Sequence, residues 1–255
     1  MKRMKRKTAA WLALALVLAG GGILGWRWSH GSSAMVPAQG YIALGQGMEA
    51  QLPLTCYYRG KAPFEPERVV SAWLESRDGR QMGAAGIQIR RSKARWGQPR
   101  LELMLTLAPQ EQGVFHAQTL VLWTDDGRQG RYPIGSWTVD VGQPPPERPL
   151  LQDQGIRVIS TDTPQLPYDY DLAKGAKLLS VQVGPGQVHS VVRSGVDRTS
   201  GRLPLQGDAQ LFYIKPKLLV EAEGRIQAQY GLSTYCCCGE AEPRLLPNQS
   251  FWQQG

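Results

Sequence analysis

The sequence predicts an all-β protein with two β-sandwich units that follow one N-terminal membrane helix. Three observations carry this prediction. The first 28 residues combine a basic flank with an uncharged apolar stretch, which is the composition of a membrane-spanning helix. The remainder has short apolar runs between scattered glycine and proline residues, as all-β proteins do. Long helical periodicity is absent from that remainder, so no helical domain is expected.

The charge pattern defines the membrane helix. Residues 1–7 carry five basic side chains and no acid, and residues 8–25 carry no charge. A helix over residues 8–25 rises about 27 Å, close to the thickness of a bilayer's hydrocarbon core. A short basic flank stays on the cytoplasmic side, so residues from about 29 onward are predicted to be extracytoplasmic. The predicted anchor residues are Lys2, Arg3, Lys5, Arg6, Lys7, Trp26 and Trp28.

The same segment also fits a cleavable secretory signal. Residues 9–18 would form its apolar region, and residues 17–19 would precede a cut at Gly20. The glycines at 20–22 favour a helix that ends there, whereas the apolar and aromatic residues at 23–28 favour an uncleaved anchor. The predicted location is therefore a single pass in the cell membrane or, as the alternative, secretion after cleavage.

Most of the excess of basic over acidic residues lies at the N-terminus of the chain. The whole chain carries a formal charge of +8, but residues 28–255 hold 23 basic and 21 acidic side chains. No nucleic-acid partner is therefore predicted. The run Arg90-Arg91-Ser-Lys93-Ala-Arg95-Trp96 is a local exception, interpreted either as a contact to an anionic polymer or lipid headgroups or as a charged edge strand.

Residues 36–142 are predicted to form the first sandwich, after a spacer at 29–35. Leu101, Leu103, Leu105 and Leu107 alternate with polar residues or methionine, which places the four leucines on the core face of a strand. Thr124-Asp-Asp-Gly-Arg128 predicts a hairpin turn, because Gly127 accepts the positive φ of tight turns. The number and spacing of the strands match an immunoglobulin-like sandwich in size.

A proline-rich linker at 143–149 is predicted to separate this unit from a second β domain at 150–242. Consecutive prolines favour a stiff polyproline II segment, which holds two folded units at a fixed distance. Strands are predicted near 155–160, 177–183, 187–193 and 210–230. Residues 243–255 are predicted to be a polar, frayed tail.

The cysteines are the main candidates for chemistry. An exported chain with four cysteines favours one or two disulfides, and the candidates are Cys56, Cys236, Cys237 and Cys238. Inert buried thiols are the second interpretation. A Zn or Cu(I) site is the third, because thiolates suit both metals; its weak candidate ligands are Cys236, Cys238, Cys56 and His189. No further cofactor is predicted.

No residue pattern predicts catalysis, since neither a nucleophile with a base and an orienting acid nor an acid pair is recognisable. Three aspartates at 162, 169 and 171 provide oxygen ligands for Ca²⁺, although their spacing does not fit the EF-hand loop. The sequence therefore predicts a non-enzymatic binding or assembly module of the bacterial cell envelope, with a protein or cell-wall partner. The alternative is a thiol-based metal-binding or redox protein.

Overall fold

The computed structural model describes residues 31–153, 157–160, 163–191, 198–237, 244–248 and 252–254. Their secondary structure is β-strand apart from short 3₁₀ turns, one of which is Pro66–Arg68. The prediction of an all-β fold is therefore confirmed. In the first half the strands are β1 (Ser32–Met35), β2 (Ala38–Gly45), β3 (Ala50–Arg59), β4 (Val69–Glu75), β5 (Gln81–Gly83), β6 (Gly86–Arg95), β7 (Gln98–Leu107), β8 (Gly113–Thr124) and β9 (Arg128–Gly142).

The second half forms shorter strands. They are β10 (Leu151–Asp153), β11 (Arg157–Ser160), β12 (Gln165–Leu172), β13 (Lys177–Gly184), β14 (Gln187–Ser190), β15 (Arg198–Pro204), β16 (Leu211–Lys215), β17 (Lys217–Ala222), β18 (Arg225–Tyr230), β19 (Thr234–Cys237), β20 (Leu246–Pro247) and β21 (Trp252–Gln254).

A large central sheet runs through both halves of the chain. Its order in the described residues is β11-β19-β16-β2-β9-β8-β4-β5, and β21 also pairs with β9. Strand β2 pairs in parallel with β9 on one side and with β16 on the other. Because β16 follows the proline-rich segment, strands from both predicted domains share this sheet.

Strand β2 is buried on both faces. Ile42 and Leu44 belong to one core cluster, and Tyr41 and Ala43 belong to the other. The sequence of a strand that is covered on both faces is a continuous apolar run. Tyr41-Ile-Ala-Leu44 is such a run. This strand therefore joins the two cores of the molecule.

The first core lies between the central sheet and a second sheet of order β20-β1-β3-β7-β6. All four leucines at 101–107 are buried in it, as predicted. Trp137, Val139 and Val141 enter the same core from β9. Gly127 adopts φ 77°, which confirms the hairpin turn between β8 and β9. Two sheets packed face to face give this half a sandwich-like architecture.

The second core is covered by two small sheets, of order β10-β12-β15 and β14-β13-β17-β18. Leu166, Leu178 and Leu218 pack there against Phe212 and Ile214 of the central sheet. The second half therefore uses the opposite face of the central sheet at β2, β16 and β19.

The proline-rich segment lies against β18. The Tyr230 hydroxyl donates a hydrogen bond to the Gln143 carbonyl (2.8 Å), and the Leu150 N–H donates to Gln229 Oε1 (3.2 Å). The segment separates the two halves in sequence, but the central sheet continues across that boundary. The division into two independent domains stays a prediction.

Two segments predicted to lack structure form strands instead. Residues 32–35, placed in the spacer, form β1 and pair with β3. Residues 246–247 and 252–254, placed in the frayed tail, pair with β1 and β9. Both predictions rested on polar composition. Composition does not show that β1 and β9 have backbone N–H and C=O groups available for pairing with a further strand.

The predicted anchor at residues 1–28 lies outside the described residues. Within the described ranges, no helix has the length and apolar character needed to cross a bilayer.

Candidate binding groove

The tip of the β6–β7 hairpin presents a tryptophan in an unusual conformation. Arg95 pairs with Gln98, so Trp96 and Gly97 form a two-residue loop. Both residues have positive φ, 51° for Trp96 and 69° for Gly97. Tight hairpin loops favour such values because they match the twist of the strands, and they prefer Asn, Asp or Gly at these positions. A bulky side chain there is strained.

Two neighbours hold the indole ring of Trp96. The Tyr57 ring lies 5.4 Å away between centroids, at an interplanar angle of 43°. The Arg95 guanidinium lies over the indole, 4.8 Å from its centroid, which is cation–π geometry. The Trp96 side chain is still 40% exposed, so part of the ring faces solvent.

Trp96 lines an open groove of about 840 Å³. One wall consists of β1, the start of β2, part of β3 and the β6–β7 hairpin. The other walls are residues 133–136 of β9, the loop at 208–211 and residues 244–246 of the C-terminal segment. Both halves of the chain therefore build the groove.

The charged side chains that line the groove are mainly basic. They are Arg95, Arg100, Arg244 and Asp208. Arg100 forms an ion pair with Glu102 (2.9 Å) and donates to Ser92 Oγ (3.2 Å) through Nη2. Its Nε–H is buried and has no acceptor. The groove thus combines an aromatic wall with cationic donors, which suits a ligand that carries both a ring and an anionic group.

The two parts of the basic run at 90–96 have different surroundings in the structure. Arg95 and Trp96 line the groove, whereas Arg90, Arg91 and Lys93 are exposed on β6. In the described part of the chain, β6 pairs only with β7 and is the outer strand of its sheet. The charged-edge interpretation fits Arg90, Arg91 and Lys93, and a contact of the run with an anionic polymer or lipid headgroups stays a prediction.

The described members of the predicted cysteine cluster lie in different parts of the molecule. Cys56 lies in the first core and Cys236 in the second. Cys237 is half-buried and lines the groove, and Cys238 lies outside the described residues. His189 lies on β14, where its buried Nε2 has no hydrogen-bond partner.

The described residues contain no group of three or more His, Cys, Asp or Glu side chains that is arranged to hold a metal ion. Cys56 is a buried free cysteine. Burial raises the pKa of the Cys56 thiol to about 12, so this thiol is neither a reactive nucleophile nor a ready metal ligand. Cysteine pairing and metal ligation by Cys238 stay predictions.

Asp169 and Asp171, two of the three aspartates considered as Ca²⁺ ligands, pair with an arginine of the protein itself. Arg198 Nε and Nη2 donate to the two carboxylate oxygens of Asp169 at 2.8 and 2.5 Å. The guanidinium also lies 3.9 Å from Asp171. Asp162 lies outside the described residues. On β12 and β15 these residues form a cross-strand ion pair.

Sequence reasoning identified Trp96 and Arg95 but missed the rest of the groove. Tyr57, Arg100, Asp208 and Arg244 come from separate segments, and no local spacing connects them. One signal was available, namely Trp-Gly at 96–97 between two strand patterns, because a glycine there marks a two-residue hairpin loop.

No protein-family model matches the chain. No curated protein matches its sequence.

Several solved structures are partly similar. Bacteroides ovatus SGBP-B of a mixed-linkage glucan utilization locus, in complex with a mixed-linkage heptasaccharide, is 12% identical over 76% of this chain, with a TM-score of 0.22. The chain spans 42% of that protein. The fibronectin(III)-like modules of Clostridium thermocellum CbhA are 12% identical over 80% of this chain and 93% of theirs (TM-score 0.23).

The tandem Ig repeats of Dlar are 10% identical, over 81% of this chain and 97% of that one, with a TM-score of 0.23. Scores this low carry no argument about fold or ligand. The all-β assignment rests on the strands themselves.

Proposed function

We propose that this chain is a non-enzymatic binding module of the bacterial cell envelope, anchored in the membrane by residues 1–28, and that its groove binds an anionic glycan. The location rests on the charge pattern of the N-terminal segment. The ligand class rests on the groove.

The observation that carries the proposal is the strained Trp96 beside Tyr57 and Arg95. A side chain in a sparsely populated backbone region costs about 1–3 kcal/mol and is found mainly where function requires it. Asn or Gly would form the same turn without that cost. Trp96 therefore supports a role for the indole surface itself.

The ligand class follows from the side chains in the groove. The exposed part of the Trp96 ring can stack on a sugar, because the C–H bonds on one face of a pyranose form an apolar surface, and the buried Tyr57 ring supports the indole from behind. Arg95, Arg100 and Arg244 favour carboxylate or phosphate groups, since guanidinium forms charge-assisted hydrogen bonds with both. The groove is open to solvent, which suits a polymer that continues beyond the bound unit.

The side chains that line the groove favour ligand binding without catalysis. Glycoside hydrolysis ordinarily uses two carboxyl groups that flank the scissile bond. The described lining of the groove contributes one carboxylate, that of Asp208. We therefore assign recognition to the groove.

The test is the affinity of the full chain for three oligosaccharides, measured by isothermal titration calorimetry. Tetragalacturonate carries carboxylates, a phosphorylated mannotetraose carries phosphates, and cellotetraose is the neutral reference. We expect one of the two anionic ligands to bind and to lose affinity as salt rises. Absence of binding by both anionic ligands, or anionic binding that does not weaken as salt rises, would contradict the proposal.

A matched pair of variants separates the indole ring from the turn. Trp96→Asn keeps a side chain that tolerates positive φ but removes the ring, so affinity should fall about tenfold while the thermal midpoint stays or rises. Arg91→Ala, on the exposed edge strand outside the groove, should leave affinity unchanged. Unchanged affinity in Trp96→Asn would exclude the groove as the site.

A further inference from the structure

The outer face of the central sheet carries a second cluster of side chains that has no part in the groove. Trp73 on β4, Val121 on β8 and Arg131 on β9 lie in one cross-strand row. Trp123 lies two residues after Val121 on the same face, and its ring centroid is 5.9 Å from that of Trp73, at an interplanar angle of 36°. Val121 is fully buried, and its alternation with Leu120 and Leu122 of the first core places it on the outer face of the sheet.

Three buried hydrogen-bond donors in this cluster have no acceptor among the described residues. They are Nε1 of Trp73, Nε1 of Trp123 and Nε of Arg131. A buried donor without an acceptor is unfavourable, and natural structures contain few of them. Three on one face of three adjacent strands indicate that an acceptor belongs there.

The net charge of the cluster is zero. Arg131 Nη1 donates to the Glu75 carboxylate, which lies on the same face of β4. Glu75 is mostly buried and Arg131 is half-buried, so the positive charge is compensated within the protein. An anionic ligand gains little here, in contrast to the groove.

We propose that Trp73, Trp123 and Arg131 form a second ligand site, which binds the pyranose rings of a neutral glycan. A pyranose ring presents an apolar C–H face for the two indoles and carries hydroxyl and ring oxygens that accept hydrogen bonds. The indoles are half-buried, so a change in side-chain torsion brings an N–H edge to the surface. The site stands on observations independent of the groove.

The experiment measures binding of cellohexaose, maltohexaose and laminarihexaose to the full chain by calorimetry. The detergent must have no sugar headgroup, because an alkyl glycoside would compete. We expect at least one hexasaccharide to bind. Trp73→Ala and Trp123→Ala should each weaken that binding about tenfold.

Two conservative variants distinguish a ligand contact from a structural role. Trp73→Phe keeps a stacking ring and removes the indole N–H, and Arg131→Lys keeps the charge beside Glu75 and removes Nε–H. Each should weaken binding about threefold to tenfold and leave the thermal midpoint nearly unchanged. Trp96→Asn in the groove should leave hexasaccharide binding unaltered.

Three outcomes would overturn the proposal. In the first, none of the hexasaccharides binds. In the second, the Trp73 and Trp123 variants bind as tightly as the natural chain. In the third, Trp96→Asn abolishes hexasaccharide binding, which would assign neutral glycans to the groove instead.

Discussion

Asp140 is one of the residues that connect the two halves through polar contacts. Its Oδ2 accepts a hydrogen bond from the Tyr41 hydroxyl at 2.7 Å and lies 3.4 Å from Lys217 Nζ. Asp140 is 8% exposed. Tyr41 belongs to β2, and Lys217 to a strand of the second half. Burial and the hydrogen bond to Asp140 raise the pKa of Tyr41, so this hydroxyl stays protonated as a donor.

Replacing Asp140 with Ala should lower the free energy of unfolding by about 3 kcal/mol, because Tyr41 and Lys217 lose their partner while still buried. Urea denaturation followed by fluorescence measures this change. Lys217→Met removes the cation and keeps its packing, so it should cost less than Asp140→Ala. Equal losses in both variants, or a loss below about 0.5 kcal/mol in Asp140→Ala, would contradict this account of the junction.

Buried thiol and hydroxyl groups predict that stability falls in alkaline solution. Burial raises the pKa of the Cys56 thiol from about 9 to about 12 and raises the pKa of Tyr41 and Tyr132. A raised folded-state pKa means that the unfolded chain releases its proton first, so stability is complete below the unfolded pKa and declines above it. The urea midpoint should therefore fall steadily from about pH 9 upward.

Cys56→Ala provides the control for this pH dependence. The variant is less stable overall because it leaves a small cavity, but its decline should begin about one pH unit higher, where tyrosines start to ionise in the unfolded chain. A midpoint that stays constant between pH 8 and 10 in the natural chain would refute the assignment.

At the scale of elements, the C-terminal segment acts as part of the first sandwich. Strand β20 pairs with β1 over two residues, and Arg244 and Leu246 line the groove. Asn248 is buried and its Nδ2 donates to the Lys61 carbonyl at 2.8 Å. Its backbone N–H donates to the Gly31 carbonyl at 3.3 Å. Asn248 therefore fixes the segment that forms one wall of the groove.

Asn248→Ala should destabilise the chain by about 1 kcal/mol, since one buried side-chain hydrogen bond is lost. The local effect should be larger, with faster amide hydrogen exchange in β1 and faster digestion by carboxypeptidase. Gln118→Ala, an exposed position on β8, should change neither rate. Exchange in β1 equal to that of the natural chain would show that the segment is held by other contacts.

Strand β6 shows how an exposed edge is kept from self-association. Arg90, Arg91 and Lys93 are exposed on it, and two copies of this edge would place like charges opposite each other. The same strand ends at Arg95 and Trp96 in the groove. One element therefore combines a charged edge with one wall of the candidate site.

At the scale of the whole molecule, the central sheet determines that the groove exists. Residues 208–211 line the same groove as Trp96 because β16 pairs with β2 and brings the second half of the chain against the first. Ligand binding in the groove should therefore depend on the contact between the two halves of the chain. Asp140→Ala, which weakens that contact, should lower both the stability of the protein and its affinity for the ligand.

Membrane topology is testable on the whole chain. With tags at both ends, protease added outside spheroplasts should degrade the C-terminal tag and leave the N-terminal tag intact, since the basic flank stays inside. Intact mass distinguishes the two forms, because signal cleavage before Gly20 removes residues 1–19. A protected C-terminal tag would contradict the extracytoplasmic prediction.

Alternation along the chain predicted several of the longer strands of the first half. The leucines at 101–107 and the turn at Gly127 are local patterns, since side chains on a strand alternate between faces and tight turns need positive φ. The same reasoning failed at β1 and β20. Pairing partners, which are not local, made these polar segments into strands.

The sequence by itself determined the strand-rich composition, the core face of β7 and the basic, apolar N-terminus, because each depends on neighbouring residues alone. Only the tertiary structure decided that β16 pairs with β2, that Cys56 and Cys236 lie in different cores, and that Trp96 packs against Tyr57 and lines one groove with Arg244. These contacts join residues far apart in the chain. Which of these contacts form depends on which apolar faces pack together. No short sequence pattern specifies that packing.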